Sequence, residues 1–452
     1  MGARASTPSR APYSRCGAAL LVATLGALAQ ARGQELSLDL PLDVPVDLRL
    51  APATDDYRTP LAGERYETEL FGERVVVERR DRSNTTALTL GGGAFAPSVG
   101  GTTSVPILAL FSRGIYPGRR YRLVASGLVN TFNYAETFGV WELLAELRND
   151  TIPVQRVLLV DGKAPAELKR IWGTAGGGLG AGISLPVQPG GFENAFNVGL
   201  TYEGWYEYHQ RGEDAPKGIG IVATDTYVHG FRARIRLDAL QRNLLELPHS
   251  GVACGVDLSW SRRDRWRDYG RDGLVAFDAG KTRDALKLQG YAVVVLPVPG
   301  LSTRHRLMGQ FHFGWAPTGT LDRYSAFQIF GGPIPSESGD LARPPFPGAT
   351  FDDFPLMDFA VATVEYRYEL SFFAFTHLRA SWGLGKVPTL RNSGGSGALR
   401  FKRKQDYAFG AGLTTGFLWE SLIAFEVGYT VTGNLRSGQE GTSFLLLWSK
   451  SF

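Results

Sequence analysis

The stretch Phe359-Ala-Val-Ala-Thr-Val-Glu-Tyr-Arg-Tyr-Glu-Leu370 decides the fold. Its even-numbered residues are apolar or aromatic, and from residue 363 onward its odd-numbered residues are polar or charged. The same period of two, which puts alternate side chains on opposite faces of a strand, recurs in 196–208, 227–239 and 422–431. These runs exceed the roughly 5–6 residues of an ordinary strand. They match the length that a tilted strand needs to cross a bilayer.

The polar faces of these runs carry formal charges, and this decides between two kinds of barrel. A soluble sandwich or barrel would turn its apolar face inward and leave its charges in water. A membrane barrel inverts this arrangement, so that charged side chains line a wet lumen. The residues predicted to line the lumen are Arg232, Arg234, Arg236, Asp238, Glu365, Arg367, Glu369, Arg379 and Glu426.

Two interpretations of the lumenal charges stay open. Opposite charges on neighbouring strands can pair and so hold the wall in shape. Alternatively, the arginines at 232, 234 and 236 form a constriction that prefers anions.

Alternating segments recur from residue 86 to residue 452 and number about sixteen, an even count as in bacterial membrane barrels. The predicted fold is therefore all-β: a transmembrane, antiparallel, up-and-down β-barrel. Short periplasmic turns are expected at 149–151, 298–301, 370–372 and 417–420, and long outer connections at 209–224, 270–284, 316–356 and 386–405. The predicted strands begin near residues 86, 103, 120, 138, 152, 168, 193, 225, 251, 285, 303, 357, 373, 406, 421 and 442.

Residues 1–31 are predicted to be a secretory signal peptide, because three arginines precede an apolar stretch that ends in small residues. No later segment has about 18 consecutive apolar residues, so no helical membrane span is expected. Residues 32–85 do not alternate and are predicted to be a periplasmic leader or a small plug. The barrel is predicted to occupy 86–452.

The composition excludes several functions. The chain has 48 basic residues (Lys and Arg) and 44 acidic residues (Asp and Glu). Three of the arginines lie in 1–31, so the rest of the chain has 45 basic and 44 acidic residues. A chain with so small an excess of positive charge is not expected to bind nucleic acid. Outside that segment Cys254 is the one cysteine, which excludes a zinc site built on several cysteines. Neither Gly-x-Ser-x-Gly nor His-Glu-x-x-His occurs. We therefore expect no enzyme activity, no metal and no other cofactor.

The last predicted strand, Thr442–Phe452, ends on an aromatic residue. A terminal strand of this kind resembles the targeting segment that the outer-membrane assembly machinery recognises. The chain is therefore expected in the outer membrane, with that machinery and outer-membrane lipid as partners. The predicted targeting residues are Phe444, Leu446, Trp448 and Phe452.

Five segments form four blocks that carry a resemblance to a known family: Gly290–Pro297 with Arg304–Trp315, Ala326–Gly332, Val364–Leu370 and Gly410–Tyr429. In order and spacing they resemble strands ten and eleven, the start of the sixth outer loop, strand twelve, and strands fourteen and fifteen of a sixteen-stranded barrel. That barrel belongs to the outer-membrane insertase and two-partner secretion superfamily, also called the bacterial surface-antigen family. The resemblance implies a barrel that assists translocation or membrane insertion of a protein or lipid client.

The sixth outer loop, 316–356, differs from the loop of that family. The family carries Val-Arg-Gly-Tyr/Phe, with the arginine reaching into the lumen towards an aspartate on strand thirteen. In this sequence Arg343 is followed by proline, and Ser381 stands at the position of the aspartate. The chain thus resembles a member without this motif and, since 32–85 is too short to hold them, without periplasmic repeats.

The same loop is expected to fold into the lumen or across its mouth. It is some forty residues long, and its prolines limit the entropy that is lost on ordering. Its site residues are predicted to be Gly331 and Gly332, where the loop starts, and Glu337, Asp340 and Arg343, which would dock against opposite charges of the wall.

The sequence favours a barrel of the surface-antigen and insertase type that handles a protein or lipid client. A passive diffusion porin with a polar, partly arginine-lined lumen is the alternative. A hydrolase embedded in a barrel is the least favoured class. The basic residues Arg400, Lys402, Arg403 and Lys404 either contact anionic lipid headgroups or belong to a solvated outer loop.

Overall fold

The alternating segments close into a single barrel. A computed structural model describes residues 57–452 apart from 71, 99–101, 127–128, 158–168, 192, 212–222, 272–273, 278, 317–320, 323, 330–339, 350–353, 394–395, 418–420 and 436–439. Sixteen antiparallel strands of the described residues form one closed barrel. The predicted all-β, up-and-down barrel is confirmed. The predicted signal peptide and residues 32–56 of the predicted leader lie outside the described residues.

The strands of the described residues are β1 (Tyr66–Leu70), β2 (Glu73–Val77), β3 (Asn84–Pro97), β4 (Thr103–Tyr116), β5 (Arg119–Ala125), β6 (Val129–Phe138), β7 (Trp141–Val157), β8 (Lys169–Pro186), β9 (Ala195–Arg211), β10 (Thr226–Arg242), β11 (Pro248–Arg263), β12 (Tyr269–Arg271), β13 (Leu274–Phe277), β14 (Asp284–Pro297), β15 (His305–Trp315), β16 (Phe327–Ile329), β17 (Phe354–Leu356), β18 (Phe359–Ser371), β19 (Ala374–Ser393), β20 (Ser396–Phe417), β21 (Ser421–Thr430) and β22 (Gly441–Ser451). A helical turn spans Ala279–Thr282. Within the described part of the chain, no helix is long and apolar enough to cross a membrane.

Each barrel strand pairs with the barrel strand that follows it along the chain, and β22 pairs with β3 to close the circle. Three small two-stranded sheets lie outside this wall: β1 with β2, β12 with β13, and β16 with β17. The first precedes the barrel, the second follows β11 at the outer side, and the third belongs to the sixth outer loop.

The two faces of the wall differ in polarity as the alternation requires. On β18, Val364 and Leu370 point outward with about half of their surface exposed, at 52% and 50%. Glu365 and Glu369, which alternate with them, are buried inside. An apolar outer band around a polar interior is the arrangement of a membrane barrel, because lipid cannot solvate charged side chains. Further exposed apolar residues of the outer face include Leu108, Leu147, Leu179, Phe231, Leu378, Phe409 and Leu446.

One part of the predicted strand order is wrong. The strand expected to begin near 138 begins at Trp141, and the one expected near 152 does not exist, because β7 runs without a break from Trp141 to Val157. The expected turn at 149–151 lies within β7, where Asn149 and Asp150 pair with Ala175 and Thr174. The alternation did not predict β6, because only residues 139 and 140 separate it from β7 and leave no polar gap in the sequence.

The connection expected at 386–405 is also wrong. β19 and β20 pair continuously from Ala374↔Thr415 to Ser393↔Ser396, so this region is an extended hairpin. The hairpin rises above its neighbours, since β18 pairs with β19 only up to Gly385. Lys402, Arg403 and Lys404 lie on this hairpin, and Arg403 Nη2 is 3.4 Å from Asp358 Oδ2.

The seam between β22 and β3 is fully paired. Its register runs from Gly441↔Pro97 to Ser451↔Ala87. Backbone hydrogen bonds extend it at both ends, from Phe452 N to Thr86 O at 2.8 Å and from Ser98 N to Glu440 O at 3.0 Å. The three glycines 91–93 leave β3 without side chains in the middle of this seam, and a Cβ on Gly91 would lie 2.1 Å from Leu446 O. At these three glycines the two strands are therefore held together by backbone contacts, with few side-chain contacts.

The assignment of faces predicts how Cys254 reacts. Cys254 alternates with the inward Ala253 and Gly255 and shares the outer face with the exposed Val252 and Leu258. A charged, water-soluble maleimide should label Cys254 slowly in intact membranes, because lipid covers it. A cysteine at Ser259, on the lumenal face, should react faster in a chain whose other cysteines are replaced by serine. Mass spectrometry of the labelled protein measures both rates, and faster labelling of Cys254 would reverse the faces of β11.

Candidate functional site inside the barrel

A chain of buried ion pairs lies on the lumenal face of β18, β19 and β21. At its centre, Arg379 Nη2 lies 2.7 Å from Glu365 Oε2 and Arg379 Nη1 lies 2.7 Å from Glu426 Oε2. Arg367 Nη2 donates to Glu365 Oε1 at 2.6 Å, and His377 Nε2 lies 3.0 Å from Glu426 Oε2. All five side chains are buried. Each charge thus has an opposite partner, which is the condition under which buried charges are tolerated.

Two glycines of β20 let this network cross from β19 to β21. Gly410 pairs with Arg379, and Gly412 pairs with both His377 and Glu426. A Cβ on Gly412 would lie 2.5 Å from the Cε1 atom of His377. The absence of a side chain on β20 at this level therefore gives the arginine and the histidine room to reach a glutamate two strands away.

Neutral groups occupy the place where the resembling family pairs its loop arginine with an aspartate. Ser381 Oγ and Thr363 Oγ1 are hydrogen-bonded at 2.8 Å, and Thr363 Oγ1 also donates to the Pro345 carbonyl at 3.4 Å. Phe346 of the sixth outer loop is fully buried there. Its ring carbon Cε2 lies 3.0 Å from the position that a Cβ on Gly383 would take. An aromatic ring on a bare strand thus replaces the charged contact.

The loop lies directly on a glycine surface formed by Gly383, Gly410 and Gly428 of β19, β20 and β21. A Cβ on Gly428 would lie 2.4 Å from the Gly348 backbone nitrogen, and one on Gly410 would lie 3.2 Å from Pro347 Cβ. Gly348 itself has a φ of +83°, which L side chains rarely adopt. The loop backbone therefore reaches the wall only because side chains are missing on both surfaces.

The predicted docking residues of the loop are only partly described, since Gly331, Gly332 and Glu337 lie outside the described residues. Asp340 forms a turn in which its Oδ1 accepts a hydrogen bond from Ala342 N at 2.9 Å and its carbonyl accepts one from Arg343 N at 3.0 Å. The side chain of Asp340 is exposed within the lumen. Partial desolvation there would raise its pKa, but the Ala342 hydrogen bond and the charges of Arg343, Arg234 and Arg122 hold that pKa below its ordinary value. Asp340 thus faces positive charge.

The residues that follow the Asp340 turn are attached to the wall by their carbonyl groups. His312 Nε2 lies 2.8 Å from the Leu341 carbonyl oxygen, and Gln289 Nε2 donates to the Ala342 carbonyl at 3.2 Å. These two wall residues belong to β15 and β14. On this side the wall therefore holds the loop by hydrogen bonds to its backbone carbonyl groups. These bonds do not depend on which side chains the loop carries.

The beginning of the loop is anchored to β11, the barrel strand next to β14, by an ion pair that the sequence did not predict. Arg263 Nη1 lies 2.9 Å from Asp322 Oδ2, and both side chains are buried. Arg263 Nη2 also lies 3.4 Å from Glu207 Oε1. Burial alone would raise the pKa of Asp322, but Arg263 and hydrogen bonds from Ser325 and Tyr324 hold that pKa below its ordinary value. Here the loop supplies the acid and the wall supplies the arginine.

Apolar packing completes the docking of the loop. Tyr324 packs edge-on against Trp172 of β8, with ring centroids 5.6 Å apart, and against His209 of β9 at 4.3 Å. On the other side, loop residues join residues of β18, β19 and β20 in one buried cluster. Because the loop contacts walls that are far apart in strand order, it crosses the outer half of the lumen. The cluster contains Ala285, Ala316, Leu321, Ala326, Phe327, Ile329, Phe346, Ala349, Leu356, Met357, Phe359, Val361, Val387, Ala408 and Leu435.

The arginine stripe on β10 lies apart from the Arg379 network and is paired throughout. Arg232 contacts both Glu146 and Glu203. Asp257 serves the other two arginines, at 3.3 Å from Arg234 and 2.7 Å from Arg236. Asp238 Oδ2 lies 2.7 Å from Arg242 Nη2. The geometry accords with the structural interpretation of the stripe, since each of its arginines already has a carboxylate partner.

At the periplasmic end, residues 57–59 are fixed to the wall through Glu369 on β18. The hydroxyl groups of Tyr57 and Thr59 both donate to the Glu369 carboxylate. Thr303 Oγ1 donates to the Tyr57 carbonyl at 2.6 Å, and the Arg304 guanidinium lies 3.9 Å from the centre of the Tyr57 ring. A carboxylate that was predicted to line the lumen thus binds the amino-terminal segment instead.

The same segment continues across the opening to other turns. Ala62 N donates to the Arg242 carbonyl at 2.9 Å at the end of β10. After the β1–β2 hairpin, Arg82 Nη2 lies 2.8 Å from Glu193 and 2.6 Å from Glu246, in two further periplasmic turns. The Arg82 carbonyl accepts a hydrogen bond from Arg113 on β4. We call residues 57–64 and 79–83 the periplasmic strap, because they connect parts of the rim that are distant in strand order.

The terminal strand presents its predicted targeting residues to the outside. Phe444, Leu446 and Phe452 are exposed on the outer face, and Trp448 shares that face in the alternation of β22. Among the described residues, no group of three or more His, Cys, Asp or Glu side chains is placed to hold a metal ion.

The comparisons with known proteins show the fold. No family model and no curated protein matches the sequence. Among solved structures, BamA from Haemophilus ducreyi lacking POTRA domains 1–3 matches with a TM-score of 0.50 and 11% identity, over 86% of this chain and 75% of that one. CdiB from Acinetobacter baumannii matches with a TM-score of 0.50 and 10% identity, over 86% of this chain and 65% of that one.

These likenesses confirm the barrel fold that the resemblance implied. The chain has the barrel fold of the insertase and two-partner secretion proteins, with sixteen strands in a closed circle. Its apolar outer wall and this fold place it in the outer membrane. At this level of identity the comparison is one of fold.

Removing Arg379 should destabilise the barrel strongly. Arg379→Met would leave Glu365 and Glu426 short of a buried partner and should cost about 3–5 kcal/mol. The unfolding midpoint in denaturant, followed by the heat-dependent gel shift of barrels, measures the loss. The double variant that adds Glu426→Gln should recover much of it, because Glu365 keeps the buried Arg367 as its partner. Arg65→Met, which breaks the exposed Arg65–Glu67 contact, is the matched control and should cost about 0–1 kcal/mol. Equal effects of the two single variants would contradict the assignment.

A side chain on the glycine surface should lift the loop. In Gly428→Val the new carbon atoms would collide with the Gly348 backbone, which cannot rotate away as a flexible side chain would. Proteinase K should then cleave within 340–349 in the folded barrel several times faster than in the parent. Gly92→Val is the control, because its Cβ would meet only an ordinary 3.5 Å contact on the outer face. Parental resistance of Gly428→Val would show that the loop does not rest on β21.

Proposed function

We propose that this chain is a client-handling barrel of the insertase and secretion type, which assists a protein or lipid client across or into the outer membrane. The observation that carries the proposal is that both ends of the lumen are crossed by the chain itself. The sixth outer loop crosses the outer half, and the periplasmic strap crosses the inner opening. A barrel that serves a bulky client needs closures of this kind, because a sixteen-stranded barrel with an open lumen would leave an aqueous channel through the membrane.

The contacts of both closures are of a kind that a client can replace. The strap is held by hydrogen bonds and ion pairs between hydroxyl, carboxylate and guanidinium groups. Each hydrogen bond to a charged group contributes about 1.5–3 kcal/mol net. One part of the loop, Pro347 and Gly348, rests on the wall glycines Gly410 and Gly428, where the wall has no side chains to interlock with it. Neither closure is covalent, and Cys254 is the free cysteine of the described residues. This supports a reversible gate over a permanent plug.

The seam between β22 and β3 bears on whether a client leaves sideways into the membrane. Its ladder is intact along the whole register, so this conformation represents a closed state. Glycines 91–93 reduce the side-chain contacts that hold the seam. Opening would therefore cost mainly backbone hydrogen bonds, and a client strand that adds to the exposed edge would replace them.

A passive diffusion porin is the second candidate, and a charged side chain that is still accessible in the lumen favours it. Arg234 keeps 41% of its side chain exposed inside the barrel, beside Asp257, so that part of the lumen is polar and accessible. The two candidates differ in one measurable property, since a porin conducts steadily while a gated client barrel conducts after its closures are removed.

We assign no catalytic role to the lumenal histidines. His312 is engaged with the Leu341 carbonyl and His377 with Glu426, which explains both residues as parts of the wall and the loop attachment. The absence of enzyme activity stays a prediction of the sequence.

Planar-bilayer conductance tests the proposal against the porin. The parent barrel should conduct weakly, and deletion of 333–349 or the strap variant Tyr57→Phe with Thr59→Ala should each raise conductance. Their combination should raise it more than either alone, because the two closures lie in series. The double variant Glu67→Ala with Arg74→Ala, which breaks an exposed pair of the hairpin, is the control and should behave as the parent. A large, steady parental conductance that no variant changes would favour the porin.

Site-specific photo-crosslinking in cells tests for a client. A photoreactive residue at Leu445, which faces inward next to Gly93, should capture a polypeptide or a lipid that passes the seam. The same residue at Leu446, exposed on the outer face, is the matched control for bulk lipid and chance neighbours. Mass spectrometry identifies the adducts. Identical adducts at both positions would contradict passage along the seam.

A further inference from the structure

The outer wall carries a depression of about 510 Å³ where β15, β18, β19 and β20 lie side by side. The lining residues that matter here are His305, Tyr366, Tyr368, Thr376, Leu378 and Ala411. These six belong to the outer face, since they alternate with the inward Arg367 and His377; His377 and Gly412 complete the lining from between them. Leu378 is 60% exposed. The depression therefore opens towards lipid and is separate from the loop and strap inside the barrel.

Its level in the membrane follows from the strand ends. Tyr368 is three residues from Ser371, the periplasmic end of β18, and His305 is the first residue of β15. At about 3.3 Å per residue, the tyrosine lies roughly 10 Å or less from the periplasmic rim. This is the zone where the headgroups of the periplasmic leaflet meet their acyl chains. The molecules that contact the depression at this depth are phospholipids of that leaflet.

The polar groups of the depression are held in place by one another. His305 Nδ1 and the Tyr366 hydroxyl are hydrogen-bonded at 2.5 Å, and the rings of His305 and Tyr368 lie 4.8 Å apart. In the tautomer whose Nδ1 accepts the tyrosine proton, His305 Nε2 carries a proton and is a donor. Arg304, the next residue, turns to the inner side, where its guanidinium lies 3.9 Å from the centre of the Tyr57 ring. The histidine N–H is thus the donor that the depression presents on the headgroup side.

A similar aromatic group at the outer end of the barrel shows that a general aromatic belt does not explain the depression. There, Tyr202 and His229 form the same kind of hydrogen bond, at 3.2 Å. Phe231 packs against Tyr202 with centroids 5.1 Å apart, and Tyr227 stacks on His229. These additional rings fill the space beside the pair. Beside His305 and Tyr366 the corresponding space is open, bordered by the small Ala411 and Thr376.

We propose that the depression binds one phospholipid of the periplasmic leaflet. The phosphate accepts a hydrogen bond from His305 Nε2, the Tyr366 and Tyr368 rings border the glycerol region, and an acyl chain follows Leu378 and Ala411. A concave apolar surface with a few convergent polar groups at one end is the usual form of a ligand site. The proposal does not rest on the proposed transport function, because the depression faces lipid whether or not a client passes through the lumen.

Native mass spectrometry of the whole barrel, released from nanodiscs of phosphatidylglycerol and phosphatidylethanolamine, tests the proposal. The parent should retain one phospholipid after bulk lipid is stripped. His305→Leu with Tyr366→Phe removes the polar groups and should retain it about tenfold less, as expected for the loss of a hydrogen bond to a charged group. His229→Leu with Tyr202→Phe makes the same changes at the outer end and should retain lipid as the parent does.

A second variant tests the depression itself. It keeps the proposal testable if the first variant does not fold. Ala411→Phe keeps the histidine and the tyrosines but fills the depression, and it should lose the lipid as well. The heat-dependent gel shift confirms that each variant is a folded barrel. Parental retention by both variants would overturn the site. Equal retention of diacylglycerol, which lacks a phosphate, or preferential retention of lipopolysaccharide would overturn the assignment of a periplasmic phospholipid.

Discussion

The closed hydrogen-bond ladder is the constraint on which the rest of this structure depends. In lipid, an unpaired backbone N–H or C=O group has no water to bond, so a sheet crosses a membrane only when its last strand meets its first. Here β22 meets β3 along its full length. Once the circle is closed, the period of two leaves every strand one apolar face for lipid and one face that lines the interior. The charges of the sequence therefore collect inside, and their pairing becomes the next problem that the fold has to solve.

The interior solves this problem with cross-strand pairs and with bare strands. Arg379 reaches Glu426 across β20 because Gly410 and Gly412 have no side chains there. Glycines also provide the surface on which the sixth loop lies. The loop needs no arginine of its own, since the wall supplies Arg263 to the loop residue Asp322. The contact that the resembling family makes with a loop arginine is thus replaced by a reversed pair and an aromatic ring. The loop is held inside the barrel by different chemistry.

The sequence predicted the elements whose signal is local. Alternation over β10, β18 and β21 gave both the strands and their faces, because lipid imposes the same rule on every residue of the wall. The sequence did not predict β6, and it predicted two strands where β7 is continuous. Asn149-Asp150-Thr151 has the composition of a turn, yet these residues pair inside the sheet. Contacts that depend on the register between distant strands could not be predicted from the sequence. Tyr57 and Thr59 meet Glu369 across some 310 residues, and no pattern within either segment points to the other. Asp322 and Phe346 were hidden in the same way, although the prolines around Phe346 did indicate an ordered loop.

The two closures of the lumen differ in what water can do to them. The periplasmic strap is held by hydroxyl groups on Glu369 and by Arg82 on Glu193 and Glu246. Each of these bonds involves a charged group and is worth about 1.5–3 kcal/mol net, and water can solvate both of its partners once the strap is released. The loop buries an apolar cluster that includes Phe346, Ile329 and Leu356. Exposing one such side chain costs about 1.5–3 kcal/mol, and water offers nothing in return. The strap is therefore held by polar bonds that water can replace, whereas the loop is held by apolar burial that water cannot replace.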